Sequence, residues 1–305
     1  MRPEKESPAF FCFVLRGKGM RVALIGADGQ LGSDLKGSLQ SWEVFPLYFP
    51  EFDITKPEKA REELAKIKPE IVINTAAYNK VDDCEDYPLE AFLVNSLAVR
   101  DISRICLELD CVLVHFSSDY IFDGQKRAPY IEEDVPNPLS VYGISKLAGE
   151  YFMKSMMEKY FLIRTCGLYG VAGCWGKGYN FVDKMIELGE RGEKIRVVND
   201  QWITPTSSAE LAARIKDLIQ TKHYGTYHLT NEGQCTWYEF AQAIFSILGK
   251  RPNLVPVDSK TYGAKAKRPS YSVLENKRAK MIGLKDFSHW KDALKDYLEK
   301  KGYKK

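Results

Sequence analysis

Along the first half of the chain, short β-branched runs alternate with stretches whose apolar residues recur at helical spacing. Arg21–Ile25 predicts a first strand and Leu31–Leu39 a helix. Val44–Tyr48 predicts a second strand, followed by a charged helix over Pro57–Ile67. Ile71–Asn74 reads as a third strand and Leu89–Leu109 as a helix. Val112–Phe116, Val141–Met157 and Phe161–Arg164 then predict strand, helix and strand. Strands alternating with helices of this length imply βαβ units. The expected fold class is therefore α/β, with a doubly wound parallel sheet covered on both faces.

After Thr165 the regularity breaks. Gly167, Gly170, Gly173, Gly176 and Gly178 mark a loop-rich stretch. Helical patterns return at Phe181–Arg191, Ala209–Thr221, Trp237–Leu248 and Phe287–Lys300, and no internal repeat is present. The expected organisation is a doubly wound domain over 20–165 and a smaller C-terminal lobe over most of 166–305. A segment near 183–221 is expected to pack back on the first domain. The two parts would meet at the carboxyl ends of the strands, where such sheets bind ligands.

Composition narrows the classes without choosing among them. Of 305 residues, 45% are apolar and 28% charged, which is ordinary for a globular protein and excludes a disordered one. A net charge of +3 gives no support to a nucleic-acid or membrane-surface partner. No apolar run approaches the ~18 residues of a membrane span. Ala9–Leu15 reaches the lower limit of a signal-peptide core, but no small-residue cleavage site follows. Met20 opens the first strand, so it reads as the natural start and residues 1–19 as an extension. Seven cysteines, an odd number without a CxxC pair, read as free thiols in a reducing cytoplasm. His115 sits in an apolar strand and reads as a packed core residue. His223, His228 and His289 share no metal-binding spacing, so no metal site is expected.

Chemistry first surfaces after the first strand. Gly26-Ala-Asp-Gly29-Gln-Leu-Gly32 leads from that strand into a helix. Glycines at this spacing permit a tight turn and let a pyrophosphate approach the backbone at the helix N-terminus. A glycine triplet alone also suits an ordinary loop; its place in the βα pattern makes nucleotide binding the stronger reading. The second strand ends in Pro46-Leu-Tyr48-Phe-Pro, with neither an acid for a ribose nor an arginine for a 2′-phosphate. Asp53 stands further on and reads either as an adenine contact or as a cap of the Pro57 helix. Thr55 suits that cap better.

Tyr142 and Lys146 stand at i and i+4 and share a helix face. A cation beside a phenol lowers its pKa, which suits a tyrosine that gives a proton to a carbonyl oxygen. The spacing alone decides nothing: 17 tyrosines among 44 basic residues predict about 2.5 such pairs by chance, and three occur. Tyr297/Lys301 lies on a charged helix and reads as solvated, and Tyr160/Arg164 runs into a strand. Only Tyr142/Lys146 follows a strand that ends in hydroxyls, Ser117-Ser118-Asp119-Tyr120, which would bring Ser118 to the same crevice.

The combination resembles the extended short-chain dehydrogenase/reductase superfamily. Gly29-Gln-Leu-Gly32, Asn74-Thr-Ala-Ala-Tyr78, Val81-Asp82, Glu85, Val94-Asn95 and Ser118-Asp119-Tyr120-Ile-Phe-Asp-Gly124 narrow it. So do Tyr142-Gly-Ile-Ser-Lys-Leu-Ala-Gly-Glu150, Asn180-Phe181, Asp200-Gln201, Pro205-Thr206 and Arg268-Pro-Ser-Tyr-Ser272-Val-Leu274. Together, over about residues 20–300, they are similar to the dTDP-4-dehydrorhamnose reductases. That resemblance implies a Rossmann-type domain, a substrate-binding lobe, NADPH or NADH as cofactor, a nucleotide-sugar substrate and a homodimer. It implies that Tyr142 is the proton donor, Lys146 its electrostatic partner and Ser118 the carbonyl donor. Gly26, Gly29, Gln30, Leu31 and Gly32 would cradle the cofactor phosphates, and Asp53 and Ile54 would flank the adenine. Ala76, Ala77, Tyr78 and Asn95 would complete the cofactor site, which Tyr142 and Lys146 also touch. Asp119, Asn180 and Arg268 would contact the substrate beside Ser118.

Two departures stand out. The family commonly carries Arg-Thr-Ser-Trp after the last strand, whereas this chain has Arg164-Thr-Cys-Gly167. The aromatic wall at Gly167 is missing unless Trp175 replaces it. The acid after the second strand is also missing, leaving NADH and NADPH both open. Asn74 also reads as a local cap, and Asp82 and Glu85 as a solvated helix start. Two competing functions share the fold. A dehydratase needs adjacent acids, and Asp119 is followed by Tyr120; an epimerase retains bound NAD. A non-catalytic binding role, as in the beta subunit of methionine adenosyltransferase, would tolerate the loss at Gly167.

Overall fold

The computed structural model describes residues 19–173 and 178–303. Residues 1–18, most of the expected extension, and Trp175 lie outside the described residues. The first half runs β1 (Arg21–Ile25), α1 (Gln30–Ser38), β2 (Glu43–Leu47), α2 (Pro57–Ile67), β3 (Ile71–Asn74) and α3 (Val81–Asp86). It continues through α4 (Pro88–Phe92), a π-helical turn (Leu93–Leu97), α5 (Ala98–Glu108), β4 (Val112–Ser118), α6 (Val141–Met156) and β5 (Tyr160–Thr165). Then follow β6 (Leu168–Tyr169), α7 (Phe181–Glu190), β7 (Ile195–Val198), β8 (Trp202–Ile203), β9 (Thr206–Ser207) and α8 (Ser208–Ile219). The chain closes with β10 (Gly225–His228), β11 (Cys235–Thr236), α9 (Trp237–Ile247), β12 (Leu254–Val257), α10 (Ser259–Tyr262), α11 (Lys277–Met281) and α12 (Trp290–Lys300).

Six strands form one sheet in the order β10-β5-β4-β3-β1-β2, and all its pairs are parallel. The expected α/β doubly wound sheet is present. Side chains alternate between its faces, as the period of two requires. Val22 and Leu24 pack with Leu31 and Leu35 of α1 and Leu211, Ile215 and Leu218 of α8. Ala23 and Ile25 pack on the other face with Leu64 of α2, Ile102 and Ile105 of α5 and Met153 of α6. Burial on both faces explains why these strands read as continuous apolar runs.

The strand order reverses at β1, with β2 on one side and β3, β4, β5 and β10 on the other. That reversal opens a crevice at the carboxyl ends of β1 and β3. A separate apolar core gathers Tyr169, Val182, Ile186, Ile195, Phe240, Ile244, Trp290 and Leu294 in the C-terminal lobe. Of the stretch 183–221 expected to return to the sheet, α7 belongs to that lobe core. The return is made by α8, which packs on α1, and by β10, which pairs with β5.

Two local expectations need correcting. The run Leu89–Leu109 is not one helix, because a π-helical turn interrupts it at Leu93–Leu97. Tyr297/Lys301 is not solvated. The Tyr297 hydroxyl is buried; it donates to Asp183 Oδ1 at 2.8 Å and accepts from Asn180 Nδ2 at 3.0 Å. Lys301 Nζ reaches Asp183 Oδ2 at 3.3 Å. The partners come from α7, which helical spacing on α12 does not reveal.

Candidate active site

The loops after β1, β3, β4 and β5 surround a cleft of about 580 Å³. Its walls include Gly26, Gly29, Gln30, Leu31, Asp53, Ile54, Ala76, Ala77 and Tyr78 on one side. Ser118, Asp119, Tyr142 and Lys146 stand in the same cleft. Thus the glycine-rich turn and the Tyr/Lys pair, separated by more than 100 residues in sequence, open into one space.

The turn is built for close approach. Gly26 has φ +73°, and its N–H donates to Leu47 O at 2.9 Å. Gly32 lies beneath the turn and outside the cleft wall. A Cβ there would stand 2.1 Å from Gly26 O, so only glycine lets α1 begin this close to β1. Gly29 caps α1 without a side-chain bond, so the first-turn N–H groups face the cleft mouth uncapped. Gln30 Oε1 and Thr165 Oγ1 are buried and find no hydrogen-bond partner among the described residues. An uncapped helix N-terminus, glycines that bar any Cβ and orphaned polar atoms fit a dinucleotide pyrophosphate.

On the adenine side, Asp53 lines the cleft, but its Oδ1 already accepts from the Thr55 N–H at 2.9 Å and the Thr55 hydroxyl at 2.7 Å. Neither residue caps α2: the N-cap is Lys56, with no side-chain bond. Phe49 and Phe52, which the sequence did not single out, add apolar wall here. Asn74 acts as the local cap, its Oδ1 accepting from the Ala76 N–H at 3.1 Å.

The chemical end is organised by α6. Ser140 caps it, accepting from the Gly143 N–H at 3.3 Å. Lys146 sits one turn beyond Tyr142 and is 2% exposed. Its Nζ donates to Phe116 O at 2.5 Å, which fixes the charge against the end of β4. Burial pulls the Lys146 pKa down to about 8, with Glu150 pulling partly back. His115 is buried and held neutral by burial and by the Lys146 charge, as a core histidine. Ser118 Oγ donates to Asp119 Oδ1 at 2.9 Å, and Cys166 Sγ donates to Asp119 Oδ2 at 3.0 Å. Burial raises the Asp119 pKa against those hydrogen bonds. Thr165 and Cys166 escaped the sequence reading, although residues just beyond a parallel strand are where ligand contacts gather.

Besides Gly32, three expected contacts lie outside the cleft wall. Asn95 is buried in the π-helical turn behind the cleft. Its Oδ1 accepts from the Tyr78 N–H at 2.9 Å, and its Nδ2 donates to Tyr78 O at 3.0 Å and Ser145 Oγ at 3.1 Å. It holds the Tyr78 loop against α6 rather than facing a cofactor. Asn180 caps α7 through the Asp183 N–H at 3.0 Å, and its Nδ2 bonds Gly170 O and the Tyr297 hydroxyl. Every polar atom of that side chain is thereby occupied. Arg268 turns to Asp82, with Nη1–Oδ1 at 3.0 Å and Nη2–Oδ2 at 2.9 Å. Asp82 is therefore not a freely solvated helix start, and neither is Glu85, which accepts from the Val141 N–H at 2.9 Å. At Gly167 the backbone has φ +54°, and a Cβ would meet Pro205 Cα at 3.2 Å. A side chain there would be strained, which accounts for glycine where relatives of the resemblance carry Trp.

A pH dependence follows from Lys146. Below about pH 8 the lysine is charged, and above it the cation is lost. Any reaction that relies on this charge should decline as pH rises through that value. Stability should run the other way, gaining between about 8 and the ordinary lysine range, because the unfolded chain holds the proton longer. A pH–rate profile beside a pH series of thermal melts checks both signs.

Comparison with known proteins agrees with this geometry. The model of the RmlD substrate binding domain matches residues 20–302. The chain belongs to the RmlD family. The spore coat polysaccharide biosynthesis protein SpsK of Bacillus subtilis is 35% identical over 92% of this chain and 98% of its own. The dTDP-4-dehydrorhamnose reductase of Streptomyces griseus is 36% identical over 90% of this chain and 91% of its own. The crystal structure of the Bacillus anthracis dTDP-4-dehydrorhamnose reductase in complex with NADP superposes with a TM-score of 0.88 at 37% identity. It covers 93% of this chain and 100% of that one. A Thermus thermophilus UDP-glucose 4-epimerase, 19% identical with a TM-score of 0.79, shares the fold alone.

Proposed function

We propose that this RmlD-family chain reduces the C4 keto group of a dTDP-linked 6-deoxy sugar, dTDP-4-dehydro-L-rhamnose to dTDP-L-rhamnose, with NADPH or NADH. One observation carries the reading: the glycine-rich turn after β1 and the Tyr142/Lys146 pair of α6 line the same cleft. Relatives matched over nine-tenths of this chain are named as reductases of such sugars, which favours this reading over an epimerase or a binding subunit.

The dinucleotide supplies the hydride that reaches the sugar carbonyl carbon. Everything else falls to the chain. Gly26, Gly29, Gln30 and Leu31 hold the pyrophosphate at the N-terminus of α1, while Phe49, Phe52, Asp53 and Ile54 wall the adenine. Tyr142 gives its phenolic proton to the carbonyl oxygen. Lys146, fixed on Phe116 O, places a positive charge beside the phenol and favours the phenolate left behind. Ser118, its hydroxyl turned from Asp119 Oδ1 to the substrate, donates to the same carbonyl oxygen and stabilises its developing charge. Asp119 fits a substrate hydroxyl contact beside it. The thiols of Cys106, Cys111, Cys166 and Cys235, unbridged by disulfides, suit a reducing cytoplasm. Among the described residues no helix is long and apolar enough to cross a membrane. The homodimer stays a proposal carried by the resemblance.

Purified protein mixed with dTDP-4-dehydro-L-rhamnose and each reduced cofactor in turn tests the assignment. Sugar-dependent loss of the reduced-nicotinamide absorbance is expected with at least one of them. Folded protein that binds dinucleotide and consumes neither cofactor would overturn the substrate assignment.

A further inference from the structure

The acidic helix α3 carries Asp82, Glu85 and Asp86, and none of them lines the cleft. Each is nevertheless engaged. Asp82 takes the Arg268 fork on both carboxylate oxygens and also accepts from the Ala266 N–H at 2.9 Å. Asp86 pairs with Lys265. Glu85 accepts from Val141 N–H in the first turn of α6, one residue before Tyr142. A six-residue helix thus ties the 265–268 loop of the C-terminal lobe to the helix that presents the phenol.

The tie continues inward. The Arg268 charge also acts on the Tyr120 hydroxyl, partly offsetting the burial that pushes its pKa up. The Tyr120 ring stands edge-on to Tyr142, with centroids 5.9 Å apart and planes at 84°. The Tyr120 peptide lies equally close to α6, since a Cβ at Gly143 would stand 2.2 Å from Tyr120 O. Ion pairing, charge and ring packing therefore link Asp82 through Arg268 and Tyr120 to Tyr142. A planar guanidinium held on two oxygens has a fixed orientation, which a lysine at the same place would not have.

We propose that Asp82 is a positioning residue for the reduction: it locks Arg268 against Tyr120, whose ring holds the Tyr142 phenol in its proton-donating orientation. The inference rests on the reductase reading of the cleft. It assigns Arg268 to this relay instead of to the substrate diphosphate. Asp82 is 45% exposed, and pairs so exposed contribute little to stability, so the effect belongs in turnover.

Asp82→Asn keeps the shape and removes the charge. Steady-state kinetics with the dTDP-4-keto sugar and NADPH should show kcat lowered about 10- to 100-fold, the scale of a misplaced catalytic group, with the sugar KM little changed. Asp82→Glu should recover part of kcat. Hydrogen exchange should speed up over residues 264–268, where the Ala266 N–H and the Arg268 fork are left to share one neutral amide oxygen. If Asp82→Asn melts below the assay temperature, Arg268→Lys carries the same test, with the same kcat loss expected. Retained kcat in a folded variant would overturn the proposal. So would a raised sugar KM at unchanged kcat in Arg268→Lys, which would return Arg268 to the substrate. Wild-type protein inactive on the sugar would remove the reductase reading, an outcome separate from these.

Discussion

Tyr142→Phe should leave folding and dinucleotide binding intact and lower kcat about 10²–10⁴-fold, the usual contribution of a positioned general acid. The ring stays, so its edge-on packing against Tyr120 is kept and no cavity forms. Only the proton source is lost. The sugar oxygen would still meet Ser118 and the Lys146 charge, so residual turnover above background is expected. Steady-state kinetics together with a dinucleotide titration separates the two effects. Equal losses in binding and turnover would mean that Tyr142 holds ligand rather than supplying a proton.

Glu150→Ala should destabilise the protein by about 3–5 kcal/mol, the cost of stranding a buried charge. Glu150 is fully buried, and Arg164 opposite it is 2% exposed. Arg164 Nε and Nη2 meet the two carboxylate oxygens at 3.0 and 2.7 Å, and Lys154 adds a third contact at 3.3 Å. Burial pushes the Glu150 carboxyl up, and the Arg164 charge and hydrogen bonds more than offset it, so the group stays ionised. Removing Glu150 leaves the Arg164 cation in the core with Glu132 O at 3.5 Å and the Phe122 ring at 5.5 Å. The double variant Glu150→Leu/Arg164→Met removes both charges and should lose much less than Glu150→Ala. Urea unfolding of the three proteins measures the difference. A double variant as unstable as the single one would show that packing, not stranded charge, sets the cost.

The sheet and the glycine-lined end of the cleft were legible in the sequence because their signals are local. β1 reads as a strand from five consecutive residues, and the glycine turn follows it directly. The Tyr142/Lys146 pair is legible because helical spacing fixes a shared face. What escaped depends on partners far along the chain. Asp82 meets Arg268 across 186 residues, and Asn180 meets the Tyr297 hydroxyl across 117. Taken singly, each residue looks like a helix start, a cap or a surface charge. Asn95 was expected to touch the cofactor, yet it acts on Tyr78 from behind the cleft wall. No spacing rule distinguishes a residue that lines a cleft from one that holds its lining. Phe49 and Phe52 were invisible for a related reason. Apolar residues in a loop carry no period, and only the fold shows that they face Asp53 and Ile54.

The central claim is that this cleft delivers hydride to a sugar C4 carbonyl while Tyr142 delivers the proton. The most direct measurement is the fate of a deuterium label. The protein would be incubated with dTDP-4-dehydro-L-rhamnose and reduced nicotinamide dinucleotide deuterated at the transferring carbon, and the product read by NMR. The account predicts dTDP-L-rhamnose with deuterium at sugar C4 and none in the Tyr142→Phe protein beyond trace turnover. Deuterium at any other sugar carbon, or unlabelled product, would contradict it.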